Sequence, residues 1–223
     1  PALLLFTQSL SILLVLPLLP ASNSGERRKL ITLFLLCYAV WYTALFDFHF
    51  DHLALPLTAL FYWANRQGRF SLAVGAALAL APIKEPFALV TSMMGLYLIL
   101  RHRQTLRGLF LFFFGAFYFY VAVYYIIPFF TPAYLTPGQG SAFGHLGAGI
   151  PEILLYPFLH FAEFLNLLFV KGKMIYLLAP LSAFGIIAVF FAPLELLPAI
   201  PLMAIALLSN YGSYYNIHFH YGA

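Results

Sequence analysis

Charge is what this chain has least of: only 8% of its 223 residues are Asp, Glu, Lys or Arg. A soluble domain carries about 25%. With 63% hydrophobic and 19% aromatic residues and a mean hydropathy of +0.92, a soluble fold of this size could not hide its apolar surface. The chain is read as an integral membrane protein. Cysteine is nearly absent too: Cys37 stands alone in an apolar segment, which excludes an internal disulfide. There is no G-x-S-x-G, no Walker loop, no H-E-x-x-H and no G-x-G-x-x-G before a strand, so serine-hydrolase and ATP-driven chemistry have no support. Residues 1–20 lack a basic n-region and a small-residue cleavage site, and read as a span rather than a signal peptide. No internal repeat of the inverted-transporter kind is visible.

The net charge is +4, yet the basic residues form no stripe, so nucleic acid is not an expected partner. They fall in short clusters between apolar runs, as the positive-inside rule requires. Arg27, Arg28, Lys29, Arg66, Arg69, Arg101, Arg103 and Arg107 mark three cytoplasmic turns. Between them run six expected spans over residues 1–128: 1–20, 30–46, 53–64, 70–83, 87–100 and 108–128. The arms at 53–64 and 70–83 are short, about 18–21 Å of helix against a hydrocarbon core of roughly 30 Å. Their polar ends should therefore lie in a recessed, water-reachable pocket.

Residues 129–149 are rich in Pro, Gly and Thr and form a long outer loop. Residues 151–170 carry Glu152, His160, Glu163 and Asn166 among apolar positions, which suits an interfacial helix. Residues 174–209 read as a helical hairpin turning at Ala192 and Pro193. If 151–170 is interfacial, the terminal His218 and His220 are outside; if it spans, Lys171 and Lys173 are cytoplasmic and the histidines change sides. The expected fold is all-α: one polytopic bundle of about eight transmembrane helices, with short helices and outer interfacial ones. Because the chain starts at Pro1 and ends at Ala223 without a tail, it reads as part of a longer protein.

Against this apolar background, residues 46–56 read FDFHFDHLALP. Ionisable groups at membrane depth are costly and are commonly paired or functional. Asp47 and Asp51 share a helical face, as do His49 and His52; in an extended chain Asp47, His49 and Asp51 align. Either geometry offers a carboxylate base or a ligand set (Asp47, His49, Asp51, His52) for Mg²⁺ or Mn²⁺. The plainer alternative is an N-cap by Asp47 or Asp51. Lys84 is a candidate phosphate ligand and Glu85 a further acid; the alternative is a local ion pair. His218, His220 and Tyr221 are candidate metal or phosphate contacts, or members of an aromatic belt. His145, His160, Glu152, Glu163 and Glu195 read as solvated or locally bonded, and Lys171 and Lys173 as headgroup anchors.

FDFHFDHLALPLTALFYW, then APIKEPFALV, then LLPAIPLMAIALLSN and IHFHY together resemble a prokaryotic membrane family catalogued as domain of unknown function 2079, grouped with the GT-C glycosyltransferases. The resemblance covers nearly the whole chain. Asp47, His49, Asp51, His52, Lys84, Glu85, His220 and Tyr221 fall on its recurring polar positions. The family usually carries Pro where this chain has Phe50, and a polar residue where it has Pro86. The resemblance implies a GT-C-like module in the cytoplasmic membrane, its active face outward, moving a sugar from a polyprenyl-phosphate donor. In that scheme the first outer loop and its catalytic acid would precede Pro1. The named residues would then hold metal or phosphate, or support those that do. Two alternatives remain: an ion-coupled transporter using Asp47, Asp51 and Glu85, and a non-catalytic membrane scaffold.

Overall fold

The structure, a computed structural model, describes residues 10–11, 13–36, 50–130, 142–147, 149–184, 190 and 192–215. All regular structure among these residues is helical. After a 3₁₀ turn at Leu16–Leu18 come α1 (Ser24–Leu36), a second 3₁₀ turn (Phe50–Leu53), α2 (Ala54–Arg66), α3 (Phe70–Leu80), α4 (Glu85–His102) and α5 (Thr105–Phe130). Then follow α6 (Ile150–Leu159), α7 (Phe161–Leu168), α8 (Lys171–Phe184), a 3₁₀ segment (Pro193–Ala199), α9 (Ile200–Leu208) and a last 3₁₀ turn (Gly212–Tyr215).

Helices α2 to α5 run up and down as an antiparallel group. The turn between α2 and α3 closes on Gly68, at φ 68°, with Arg69 N–H donating to Ala64 C=O at 2.8 Å. The turn after α4 places Arg103 left-handed, at φ 54°, while Gln104 N–H reaches back to Leu98 C=O. These paired bonds satisfy carbonyls that a helix end would leave open. On α3, Ala73, Ala76, Ala77 and Leu80 recur at helical spacing and form its buried face. They meet Phe61, Met94, Leu98 and Leu111 in the main core. Thr91 Oγ1, fully buried, donates to Ala77 C=O at 2.9 Å and ties α3 to α4.

The contact of α4 with α5 is built from small residues. A Cβ at Gly95 would lie 2.4 Å from Gly108 O, and one at Gly115 would lie 2.3 Å from Ala88 O. Ser92 Oγ donates to Phe112 C=O across the same seam. Lipid gives helices no hydrophobic reason to associate, so close backbone approach and interhelical hydrogen bonds supply the attraction. Gly108, Leu111, Gly115 and Ala122 make a narrow buried stripe on α5. Its other faces expose Phe110, Phe113, Phe117 and Tyr120. Exposed apolar area on that scale suits a lipid surround.

The expected count of about eight spans is not confirmed. Among the described residues one helix, Thr105–Phe130, is long and apolar enough to cross a membrane. Several other apolar runs among the described residues form short or broken helices. The 13 residues of α2 and 11 of α3 rise only about 20 and 17 Å. The run expected at 1–20 turns at Leu14 and Val15 before Leu16–Leu18. Residues 150–168 divide at His160 into α6 and α7, about 15 and 12 Å long. Pro193, Pro198 and Pro201 remove N–H donors from the last arm, which starts as a 3₁₀ segment before becoming α9. Arg27, Arg28 and Lys29, read as a loop, lie within α1, which Asn23 caps by accepting from Glu26 N–H at 2.8 Å.

Lys173 is a clear correction. Instead of reaching the headgroups it is 3% exposed, and its Nζ donates to Leu207 C=O at the end of α9. Burial pushes its ammonium pKa below the usual lysine range. Its Nζ also lies 5.3 Å from the Tyr215 ring centroid. A helix C-terminus carries negative partial charge and unsatisfied carbonyls, which rationalises a cation held there. Lys173→Ala should therefore lower stability by about 1–3 kcal/mol, measured as thermal unfolding in detergent. An unchanged transition would mean that the contact contributes nothing.

Candidate functional site

The two ends of the helical group differ in charge. At one end Arg66 closes α2, Arg101 and His102 close α4, and Arg107 lies 6.0 Å from the Phe70 ring centroid at the start of α3. At the other end stand Asp51 and His52, before α2, and Lys84 and Glu85, at the start of α4. The sequence places these two pairs 33 residues apart; the fold joins them.

Lys84 Nζ donates to Asp51 Oδ2 at 3.1 Å. Both side chains are partly covered, at 29% and 27% exposure, so the pair faces water without being fully in it. Lys84 is extended, at φ −162° and ψ 152°, and Pro86 follows in the first turn of α4. Proline fits there because a first-turn N–H has no intrahelical partner. The sharp entry turns the Lys84 side chain away from its own helix and toward Asp51.

This geometry sorts the alternatives. The residue at the cap of α2 is Leu53, and no side chain caps that end. Asp51 is thus not the N-cap considered from sequence. Lys84 pairs across the fold with Asp51, while Glu85 occupies the first helical position of α4. His52, next to Asp51 in the chain, is 4% exposed. Asp47, His49, His218, His220 and Tyr221 lie outside the described residues, as does Cys37. Of the expected metal set only Asp51 and His52 are described, and among the described residues no three His, Cys, Asp or Glu assemble.

The sequence matches the family described as "Predicted membrane protein (DUF2079)" over residues 3–223. The chain belongs to that family. No match was found among curated proteins or among solved structures. DUF2079 membership supports the membrane assignment made from composition, and it says nothing of the reaction.

In this DUF2079 chain a second polar group gathers at the end opposite Lys84. Arg101 Nε stands 3.7 Å from Glu195 Oε1, and Tyr62 Oη donates to Glu195 C=O at 2.6 Å. Both contacts pin the 3₁₀ segment to the basic end. From there α9 lies against α4 and rises with it. After α9, Asn210 N–H donates to Ala142 C=O at 2.9 Å, and burial, followed by the Lys173 charge, lowers the pKa of His145. His160 and Glu163 bond locally, at 3.4 Å, as read from sequence.

Sequence reasoning missed one polar cluster. Arg66 and Arg101 were taken only as topology markers and Glu195 as an isolated acid. Tyr62, Tyr97 and His102 nevertheless line one cavity with them. The signal was present as Tyr62 and Arg66, and Tyr97 and Arg101, each one helical turn apart.

Proposed function

We propose that this chain is part of a membrane glycosyltransferase of GT-C type, acting on a sugar carried by a polyprenyl phosphate. One observation carries the reading: Asp51 and Lys84 meet, half-covered, at the end of the bundle opposite the arginines. The positive-inside rule assigns the arginine end to the cytoplasm and hence the pair to the outer face, where a lipid-linked sugar would be used. In this reading the Lys84 ammonium neutralises the phosphate as the bond to the sugar breaks. Asp51 holds that ammonium in place, with Glu85 and Asp47 as the remaining acids of the site. A fixed cation aimed at developing charge stabilises a transition state without reorganisation. His49 and His52 with the two aspartates remain the proposed ligands of Mg²⁺ or Mn²⁺.

The test is sugar transfer from a polyprenyl-phosphate donor by the full-length protein in proteoliposomes. Lys84→Gln and Asp51→Asn should each lower the rate by about 10²–10³-fold while eluting as folded protein. Normal transfer by both variants would end the proposal. Ion-driven uptake by the wild type, with no transfer, would favour the transporter.

A further inference from the structure

The arginine end encloses a cavity of about 510 Å³, within the range of small-ligand sites. Its lining is divided. One wall is apolar, formed by Val15, Leu18, Leu19 and Ala59; the other holds Arg66, Arg101, His102 and Glu195. Arg101 is 57% exposed and Pro20 is exposed, so the cavity opens to the surface. Arg66 makes no ion pair among the described residues, and Arg101 only a long one with Glu195. The Nε2 atom of His102 is buried without a hydrogen-bond partner, its ring held against Phe70 and Tyr97. Burial, followed by the Arg101 charge, lowers the pKa of that imidazole.

We infer that this cavity binds one glycerophospholipid of the cytoplasmic leaflet, with its phosphate between Arg66 and Arg101 and the start of its acyl chains on the apolar wall. Three features select a lipid. Arg66 and Arg101 line one cavity with a single carboxylate, Glu195, so its lining keeps an excess of positive charge, and Arg matches phosphate geometry. The adjoining wall is hydrocarbon, which a free phosphate would not use. The site also lies at the basic end, where a membrane protein meets headgroups, and basic pockets between helices at that level bind lipid phosphates. Tyr62 and Tyr97 stack edge to face at 5.3 Å between ring centroids and give α2 and α4 a fixed spacing behind the arginines. The inference is independent of the sugar-transfer reading, since the cavity and the Asp51/Lys84 pair sit at opposite ends.

The experiment is native mass spectrometry of the full-length protein in mild detergent, with phosphatidylethanolamine, phosphatidylglycerol, diacylglycerol or glycerol 3-phosphate added. Wild-type protein should retain one phospholipid per chain and no diacylglycerol. Arg66→Gln with Arg101→Gln should lower occupancy at least about tenfold, the size of one lost charge-assisted contact. Arg66→Lys with Arg101→Lys should restore most of it, which a merely misfolded cavity would not do. Only the monodisperse folded fraction of each variant is compared. Equal retention of diacylglycerol, or full retention by the double glutamine variant, would overturn the inference. So would displacement by millimolar glycerol 3-phosphate, which would make the ligand a soluble phosphate.

Discussion

Leucine at Gly95 will separate α4 from α5 and leave little folded protein. The Cβ alone would stand 2.4 Å from Gly108 O, 2.6 Å from Phe112 N and 3.1 Å from Leu111 Cβ. Two of these neighbours are backbone atoms, so no side chain can rotate away. The helices must move apart, and the Ser92 to Phe112 hydrogen bond is lost with the dispersion contacts of the seam. Overpacking of a core costs about 1–3 kcal/mol where side chains can yield; here the loss should be at least about 3 kcal/mol, enough to remove most of a marginal protein's stability. Gly115→Leu should behave alike, since its Cβ would meet Ala88 O and Ser92 N at 2.3 and 2.7 Å. Gly75 is the control: no heavy atom lies within 4 Å of its Cβ position. Gly75→Ala should be neutral or stabilise α3 by about 0.5–1 kcal/mol. Chemical or thermal unfolding in detergent reads all three, and a stable Gly95→Leu protein would refute the close seam.

Exchanging the two charges at the acidic end, Asp51→Lys with Lys84→Asp, will restore part of the stability but not activity. Each single change, Asp51→Lys or Lys84→Asp, places like charges beside one another in a partly covered site and should cost about 2–4 kcal/mol. The exchange recreates an ion pair, so the double variant should recover part of the summed loss, a coupling of about 1–2 kcal/mol in a double-mutant cycle. Exposed pairs couple by less, about 0.2–1 kcal/mol. Partial coverage, 29% and 27% exposure, places this pair between those limits. If Lys84 works on a substrate phosphate, its cation is then displaced and transfer stays at the level of Lys84→Gln. Recovery of both stability and transfer would show that only the net pairing matters. Additive losses would show that the 3.1 Å contact carries no energy.

Much of this architecture was legible in the chain. The scarcity of charge required a lipid surround, and the arginines at 66, 69, 101, 103 and 107 marked one end of α2 to α5. The short arms expected at 53–64 and 70–83 are α2 and α3, because Gly68 and the basic turn stop the first where periodicity does. Asp51, Lys84 and Glu85 were singled out from rarity alone, since a charge in such a sequence needs a reason. Less legible were the breaks. Prolines at 193, 198 and 201, and a turn at Leu14, divide runs that hydropathy averages over.

Composition and charge order therefore determined by themselves that this is a helical membrane protein with a basic and an acidic end, because both are sums over local residues. Three matters waited for tertiary structure: that Asp51 pairs with Lys84, that Lys173 is buried on Leu207, and that Arg66 and Arg101 share a cavity with Tyr62 and Tyr97. Each depends on which helix lies beside which. That choice is made where side chains meet, as Phe61, Ala73, Ala77, Met94 and Leu98 do in the core of α2, α3 and α4, a property of helices in contact that no sequence segment contains alone.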